Sequence, residues 1–293
     1  MRNHPSGQDT AGRLGEALIP ASVDVMSKAE AICLVGWGAI GRRVASLLAE
    51  RASPARIVAV AVREAGRERE GLPEGALLIR DPAELEATGA RLVVEAAGRS
   101  SVLAWGLAAL AAGMDFAVSS TSAFVDETIL SSLVVQAETS GRQILVPPGA
   151  LGGIDALAAA SRLGLERVEH RITKPAAAWL GTHAETLCDL AQLSQPLAFF
   201  EGSAREAAGR FPQNANVAVI TSMAGIGLDR THVTLVADPC AHLNMHEIRA
   251  QGDFGTLEIR LQNQPLATNP KSSEMTALNI VRLIENRTAR LVL

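Results

Sequence analysis

Short apolar runs punctuate the first half of the chain, at Ala31 to Val35, Ile57 to Val62, Leu92 to Ala96, Phe116 to Ser119 and Ile144 to Val146. Runs of this length without polar alternation mark strands buried on both faces, as in a parallel sheet. Between them Arg42 to Glu50, Val102 to Ala112 and Glu127 to Thr139 carry apolar residues at helical spacing. Strand and helix therefore alternate, which predicts an α/β fold built on a doubly wound parallel sheet. After Pro147-Pro148-Gly149 the pattern changes. Gly152 to Leu163 reads as an alanine-rich helix, and in Leu257-Glu258-Ile259-Arg260-Leu261 apolar and charged residues take turns. That alternation gives a strand one wet face, so an α+β unit with a mostly antiparallel sheet is predicted from about residue 150. Ser203 and Glu206 have capping-box spacing, Asn263 to Ser272 reads as a loop, and a last helix runs from about Ser273 to Asn286.

The expected organisation is a tail over residues 1–28, a first unit over 29–149 and a second over 150–271. The last helix, about 272–293, is a candidate to pack back on the first unit. Composition narrows the function classes. Of 293 residues 48% are hydrophobic and 20% charged, enough apolar surface for two cores and too little charge for a solvated polymer. A formal net charge of −4 offers no cationic field, so neither nucleic acid nor a membrane surface is expected as a partner. No run approaches the roughly 20 apolar residues that span a bilayer. The stretch before residue 29 is broken by Pro5, Asp9, Glu16, Pro20 and Asp24, unlike a signal peptide. Cys33, Cys188 and Cys240 have no paired spacing, which fits a reducing cytoplasm.

Gly36-Trp37-Gly38-Ala39-Ile40-Gly41 is a GxGxxG string directly after the first strand and at the opening of the first helix. Gly36 permits the tight turn, Gly38 lets backbone approach a pyrophosphate, and Gly41 lets helix and strand come close. Ala39 and Ile40 bring the helix N-terminus, with its donors and positive dipole end, to the same place. In this setting the string identifies a Rossmann unit that binds NAD or NADP. The acidic residue expected on the ribose is missing where the second strand ends, at Ala61-Val62-Arg63-Glu64. Arg63 is placed to face a 2′-phosphate and Glu64 to take ribose hydroxyls, so both cofactors are expected.

Several ordered motifs of the second half are familiar together. They are Pro148-Gly149-Ala150-Leu151-Gly152-Gly153-Ile154-Asp155, Lys174-Pro175, Trp179-Leu180-Gly181-Thr182, Asn214-Ala215-Asn216, Ala237-Asp238-Pro239, Asn244-Met245-His246-Glu247 and Asn269-Pro270-Lys271-Ser272-Ser273. With the glycine turn, the chain from about Ala31 onward resembles the bacterial L-aspartate dehydrogenases. The resemblance implies a homodimer whose second unit serves catalysis and dimerisation. It implies oxidation of L-aspartate to iminoaspartate with NAD or NADP, the imine giving oxaloacetate and ammonia or entering pyridine nucleotide biosynthesis. It places the catalytic residue on His246 and cofactor contacts on Ala150 and Asn216.

The chemistry supports such a site. Amine oxidation needs an ammonium proton removed and then a water activated, and a histidine titrating near neutrality suits both steps. Asn216 has donors and an acceptor for a carboxamide or ribose, although Asn214 or Asn216 could equally cap a helix over Val217 to Ala224. Two substrate carboxylates call for cations or donors, for which Lys174, Thr182, Arg205 and Lys271 are candidates, Lys174 and Lys271 foremost. Cys240, His242 and His246 invite a zinc reading, but the spacing matches no common zinc pattern and no metal is expected. The alternatives are a relative of homoserine dehydrogenase or dihydrodipicolinate reductase, or a dinucleotide-sensing protein without turnover.

Overall fold

The computed structural model describes residues 29–64, 69–212 and 214–292, so the predicted tail over 1–28 lies outside it. Six strands form a parallel sheet: β1 (Ala31–Val35), β2 (Arg56–Ala61), β3 (Leu77–Ile79), β4 (Leu92–Glu95), β5 (Asp115–Val118) and β6 (Ile144–Leu145). Their order is β3-β2-β1-β4-β5-β6. Connections leave β1 and β4 in opposite directions, and the crevice at their carboxyl ends is where such sheets take ligands. The helices between them are α1 (Ala39–Glu50), α2 (Arg99–Ala111) and α3 (Glu127–Ser140). Helix α1 starts three residues before the apolar spacing suggested, because Gly38 serves directly as its N-cap.

The alanine-rich segment yields a shorter helix than predicted, α4 (Ile154–Ala160), since Gly153 at φ 70° sits outside helical space before it. The second sheet contains β7 (Leu165–Pro175), β8 (Leu197–Ser203), β9 (His232–Asp238), β10 (Asn244–Gly252) and β11 (Gly255–Asn263) in the order β11-β10-β7-β9-β8. Neighbours run antiparallel except β7 and β9. Helix α5 (Ala204–Arg210) starts on the predicted capping box of Ser203 and Glu206, and α6 (Asn216–Ala224) follows. The predicted loop from Asn263 to Ser272 instead holds an antiparallel ribbon, β12 (Pro265–Leu266) with β13 (Asn269–Ser273). Helix α7 (Glu274–Asn286) ends the regular structure.

Two apolar cores hold this arrangement. On one face of the parallel sheet, Ile32, Leu34, Leu92 and Val94 meet Val44, Leu47 and Leu48 of α1 and Ala277, Ile280, Val281 and Ile284 of α7. On the other face, Val35, Val93 and Phe116 belong to a cluster that continues through Leu151, Val217 and Ile220 to Ile172 and Ile248 of the second sheet. Each such side chain contributes roughly 1.5–3 kcal/mol when fully buried, so the junction between the sheets is part of the core. Polar bonds fix the turn between them. Asn279 Nδ2 donates to the carbonyls of Gly149 (2.8 Å) and Leu151 (2.9 Å), and Asn263 Nδ2 donates to that of Ala150 (2.7 Å).

Candidate active site

The glycine turn shows why its residues are what they are. Gly36 has φ 104°, and a Cβ on it would stand 2.9 Å from Ala96 O and from Ala97. A Cβ on Gly41 would collide with Gly36 O, whereas one on Gly38 would meet nothing within 4 Å. Gly38 thus fronts open space, and α1 behind it has no side-chain cap and no acidic residue in its first turn. The N–H groups around Ala39 and Ile40 and the dipole are left for an anion, which fits the pyrophosphate of a dinucleotide. The cleft over the turn has a volume of about 320 Å³, and Arg63, Arg69 and Arg80 all line it. Arg63 and Glu64 are exposed, and the guanidinium of Arg69 donates to Glu64 O.

Glu95, which the sequence reasoning missed, ends β4 beneath this cleft and is fully buried. Its carboxylate accepts from the backbone N–H groups of Ala97 (2.7 Å), Gly98 (2.8 Å) and Ser120 (3.0 Å). The hydroxyl of Ser120 (3.0 Å) donates to it as well, and that of Ser101 stands between it (2.9 Å) and the carbonyl of Gly98 (2.6 Å). These bonds satisfy the buried carboxyl group and lock the loops after β4 and β5 together. The signal was an acid closing the apolar run Leu92-Val93-Val94.

The period-two pattern of β10 turns Asn244, His246, Ile248 and Ala250 inward, while Glu247 pairs with Arg260 at 3.6 Å outside. His246 is 1% exposed. Its Nδ1 lies 3.2 Å from Nε2 of His170 on β7, and Nδ1 of His170 lies 2.9 Å from Thr221 Oγ1 on α6. His246 Nε2 is buried without a partner among the described residues, as are Asn244 Oδ1, both amide atoms of Asn214, and Ser122 Oγ. Buried polar atoms are normally paired. Ser122 and Asn214 adjoin the start of α6, while Asn244 and His246 stand on β10. The expectation that His246 titrates near neutrality is corrected here. Burial, then the neighbouring His170, then Lys174 hold it well below the usual histidine range, so it is neutral at physiological pH.

Asn216 opens α6, and neither it nor Asn214 caps the helix by a side-chain bond, since Ala215 is the N-cap. Instead Asn216 Oδ1 accepts from Ser122 N (2.9 Å) and its carbonyl from Thr121 Oγ1 (2.8 Å), which ties α6 to the loop after β5. That tie uses the amide oxygen and not the N–H donors. Ala150 is buried in the pinned turn before α4.

Of the candidate cations, Lys174 and Lys271 come together. Lys174 is 4% exposed and its ammonium donates to Lys271 O at 2.8 Å, a neutral partner. Burial, helped by Lys271, pushes it down to about 8. The Lys271 ammonium lies beside Gly181, where a Cβ would be 3.7 Å from Nζ. Thr182 is spent on its own turn, donating to Trp179 O (2.6 Å) and capping Ala184 N (3.2 Å). Arg205 is not a substrate cation. It is held by Glu127 and Asp229, each at 2.6 Å, and by Val125 O at 3.1 Å, so it ties α5 to the start of α3. Cys240 and His242 are exposed while His246 is buried, so these three do not share one environment.

Two family models match the chain. The model for "Homoserine dehydrogenase, NAD binding domain" matches residues 36–147, and that for "Aspartate dehydrogenase, C-terminal" matches residues 155–287. The L-aspartate dehydrogenase of Brucella anthropi is 66% identical over 92% of this chain and 100% of its own length. That of Pseudomonas aeruginosa is 44% identical over 87% of this chain and 96% of its own. Aspartate dehydrogenase from Thermotoga maritima shares the fold, with a TM-score of 0.71 at 24% identity over 90% of this chain and 99% of that one. A dinucleotide turn on the first sheet, a histidine and two lysines on the second unit, and this breadth of identity place the chain in the L-aspartate dehydrogenase family, oxidoreductases that act on a CH–NH2 group with a nicotinamide cofactor.

Proposed function

We propose that this chain oxidises L-aspartate to iminoaspartate, which water converts to oxaloacetate and ammonia. The observation that carries the reading is a buried neutral histidine with an unpartnered Nε2 near two lysines that have no carboxylate partner among the described residues. One base and two cations suit a substrate with one ammonium to deprotonate and two carboxylates to hold. When bound, the dinucleotide supplies a hydride acceptor for the α-carbon. His246 Nε2 takes the ammonium proton, releases it to solvent and, neutral again, deprotonates the hydrolytic water, while Lys174 and Lys271 orient the carboxylates. Asn216 and Ala150 border the nicotinamide end, and Gly36, Gly38, Ala39, Ile40 and Gly41 hold the pyrophosphate. Arg63, with Arg69 and Arg80 beside it, lets the cleft take NADP as well as NAD.

The family resemblance adds a cytoplasmic homodimer that feeds pyridine nucleotide biosynthesis. Light scattering should then give twice the chain mass of 30.7 kDa. The decisive assay follows absorbance of the reduced nicotinamide with L-aspartate, D-aspartate, L-glutamate, L-malate and L-homoserine, each with NAD and NADP. Turnover of L-aspartate alone is expected. Preferential oxidation of homoserine would move the chain to the alternative suggested by its nucleotide-binding half, and cofactor binding without any turnover would make it a sensor.

A further inference from the structure

Two side chains that no sequence motif singled out stand behind His246. Thr221 Oγ1 is 3.0 Å from the carbonyl of Val217, one turn back on α6, and a threonine hydroxyl has a single proton. With that proton given to the helix carbonyl, as threonines in helices commonly do, Oγ1 can only accept from His170 Nδ1 at 2.9 Å. His170 Nδ1 then carries hydrogen, so in the neutral ring Nε2 is a bare acceptor. The contact to His246 Nδ1 at 3.2 Å is satisfied only if His246 donates. Both rings are neutral, His170 pushed down to about 3 by burial and His246 lowered by burial, His170 and Lys174. Of the groups that set the charge of His246, His170 and Lys174 both belong to β7.

We infer that Thr221 and His170 are positioning residues that fix the tautomer of His246, through a one-way hydrogen-bond chain from the α6 carbonyl, so that Nε2 always presents a lone pair to the substrate. The inference rests on His246 being the base proposed above. Its chemical content is specific: both histidines hold the Nδ1–H form, the minor one of free imidazole, and the chain's polarity comes from a helix carbonyl. Reversing the chain would put a proton on His246 Nε2 and leave no base.

The test reads ring nitrogens directly. In 15N-histidine protein without substrate, at pH 8, two-bond 1H–15N correlations should show Nδ1 protonated and Nε2 bare in both rings. Thr221→Val keeps the shape but removes the acceptor, so His246 should gain Nε2–H signal and kcat should fall about tenfold, the scale of one lost hydrogen bond. KM for L-aspartate and the Kd for NADH should stay within about twofold of the native values, because substrate and cofactor contacts are untouched. Thr221→Ser, which keeps the hydroxyl, should restore both tautomer and kcat. His246 protonated at Nε2 in the native protein, or a Thr221→Val pattern unchanged from native, would overturn the inference. Full kcat in His246→Asn would instead remove the base from His246, and with it the relay's purpose, whatever the ring nitrogens show.

Discussion

The two halves of the candidate site are built from different materials. The cofactor cleft is made of backbone: a glycine turn, the exposed start of α1, and arginines at the rim. The proposed substrate side is made of buried side chains on β7 and β10: His246 meets His170, while Lys174 donates to the carbonyl of Lys271 and Asn244 to Ser272 O and Ser273 Oγ. Backbone N–H groups and an exposed guanidinium keep their function when a neighbour changes. A buried ring or ammonium depends on every partner, because an unpaired polar group in the interior costs about 1–3 kcal/mol. The first region should therefore fail gradually and the second abruptly.

The sharpest break should come at His246. His246→Ala is expected to lower kcat by about 10²-fold or more, the scale of a lost acid/base group, with NADH affinity almost unchanged. A loss of cofactor affinity as large as the loss of kcat would show that the two regions are not separable. Lys174 comes next. Lys174→Met should raise KM for L-aspartate by roughly 10-fold to 100-fold, as one charge-assisted hydrogen bond is lost. It should also raise the melting temperature, since a buried cation with no carboxylate partner is replaced by an apolar chain. Lys174 is pushed down to about 8 and must be cationic to hold a carboxylate. So kcat/KM should fall as pH rises through that value, and the decline should vanish in Lys174→Met.

On the cofactor side the expected effects are smaller and selective. Gly38→Val places a side chain where nothing now stands within 4 Å. Binding of both dinucleotides should weaken by about tenfold, within the 1–3 kcal/mol of local overpacking, at unchanged thermal stability. Tight NADH binding by the folded variant would take the pyrophosphate away from this turn. The mildest change is Arg63→Ala, which should weaken NADP more than NAD by no more than about fivefold, because an exposed charge contributes about 1 kcal/mol at most. Equal losses measured by titration would excuse Arg63 from reading the 2′-phosphate.

What the sequence made legible follows the same division. The glycine turn is local: strand, turn and helix lie within twenty residues, so spacing alone carried Gly36, Gly38 and Gly41. The parallel strands were legible as apolar runs, and β3 was not, because three residues at an exposed edge make no pattern. His246 showed itself through alternation in β10 and family motif. Its partners did not, since His170 is 76 residues away and Thr221 is a further contact 51 residues from His170. Nor does spacing reveal burial, which is why a near-neutral titration was expected of His246 and why Arg205 looked available. Asn279, which reaches back 130 residues to Gly149, left no local trace at all.

Helix α7 closes one face of the first sheet, yet more than a hundred residues of the second unit separate it in sequence from β6. The second unit is in effect an insertion into the first. During synthesis the cluster around Val44, Leu47 and Leu48 of α1 lacks its α7 side until Ile284 has left the ribosome, whereas the strands of the second sheet are all made earlier. The nucleotide-binding half, begun first, is therefore finished last.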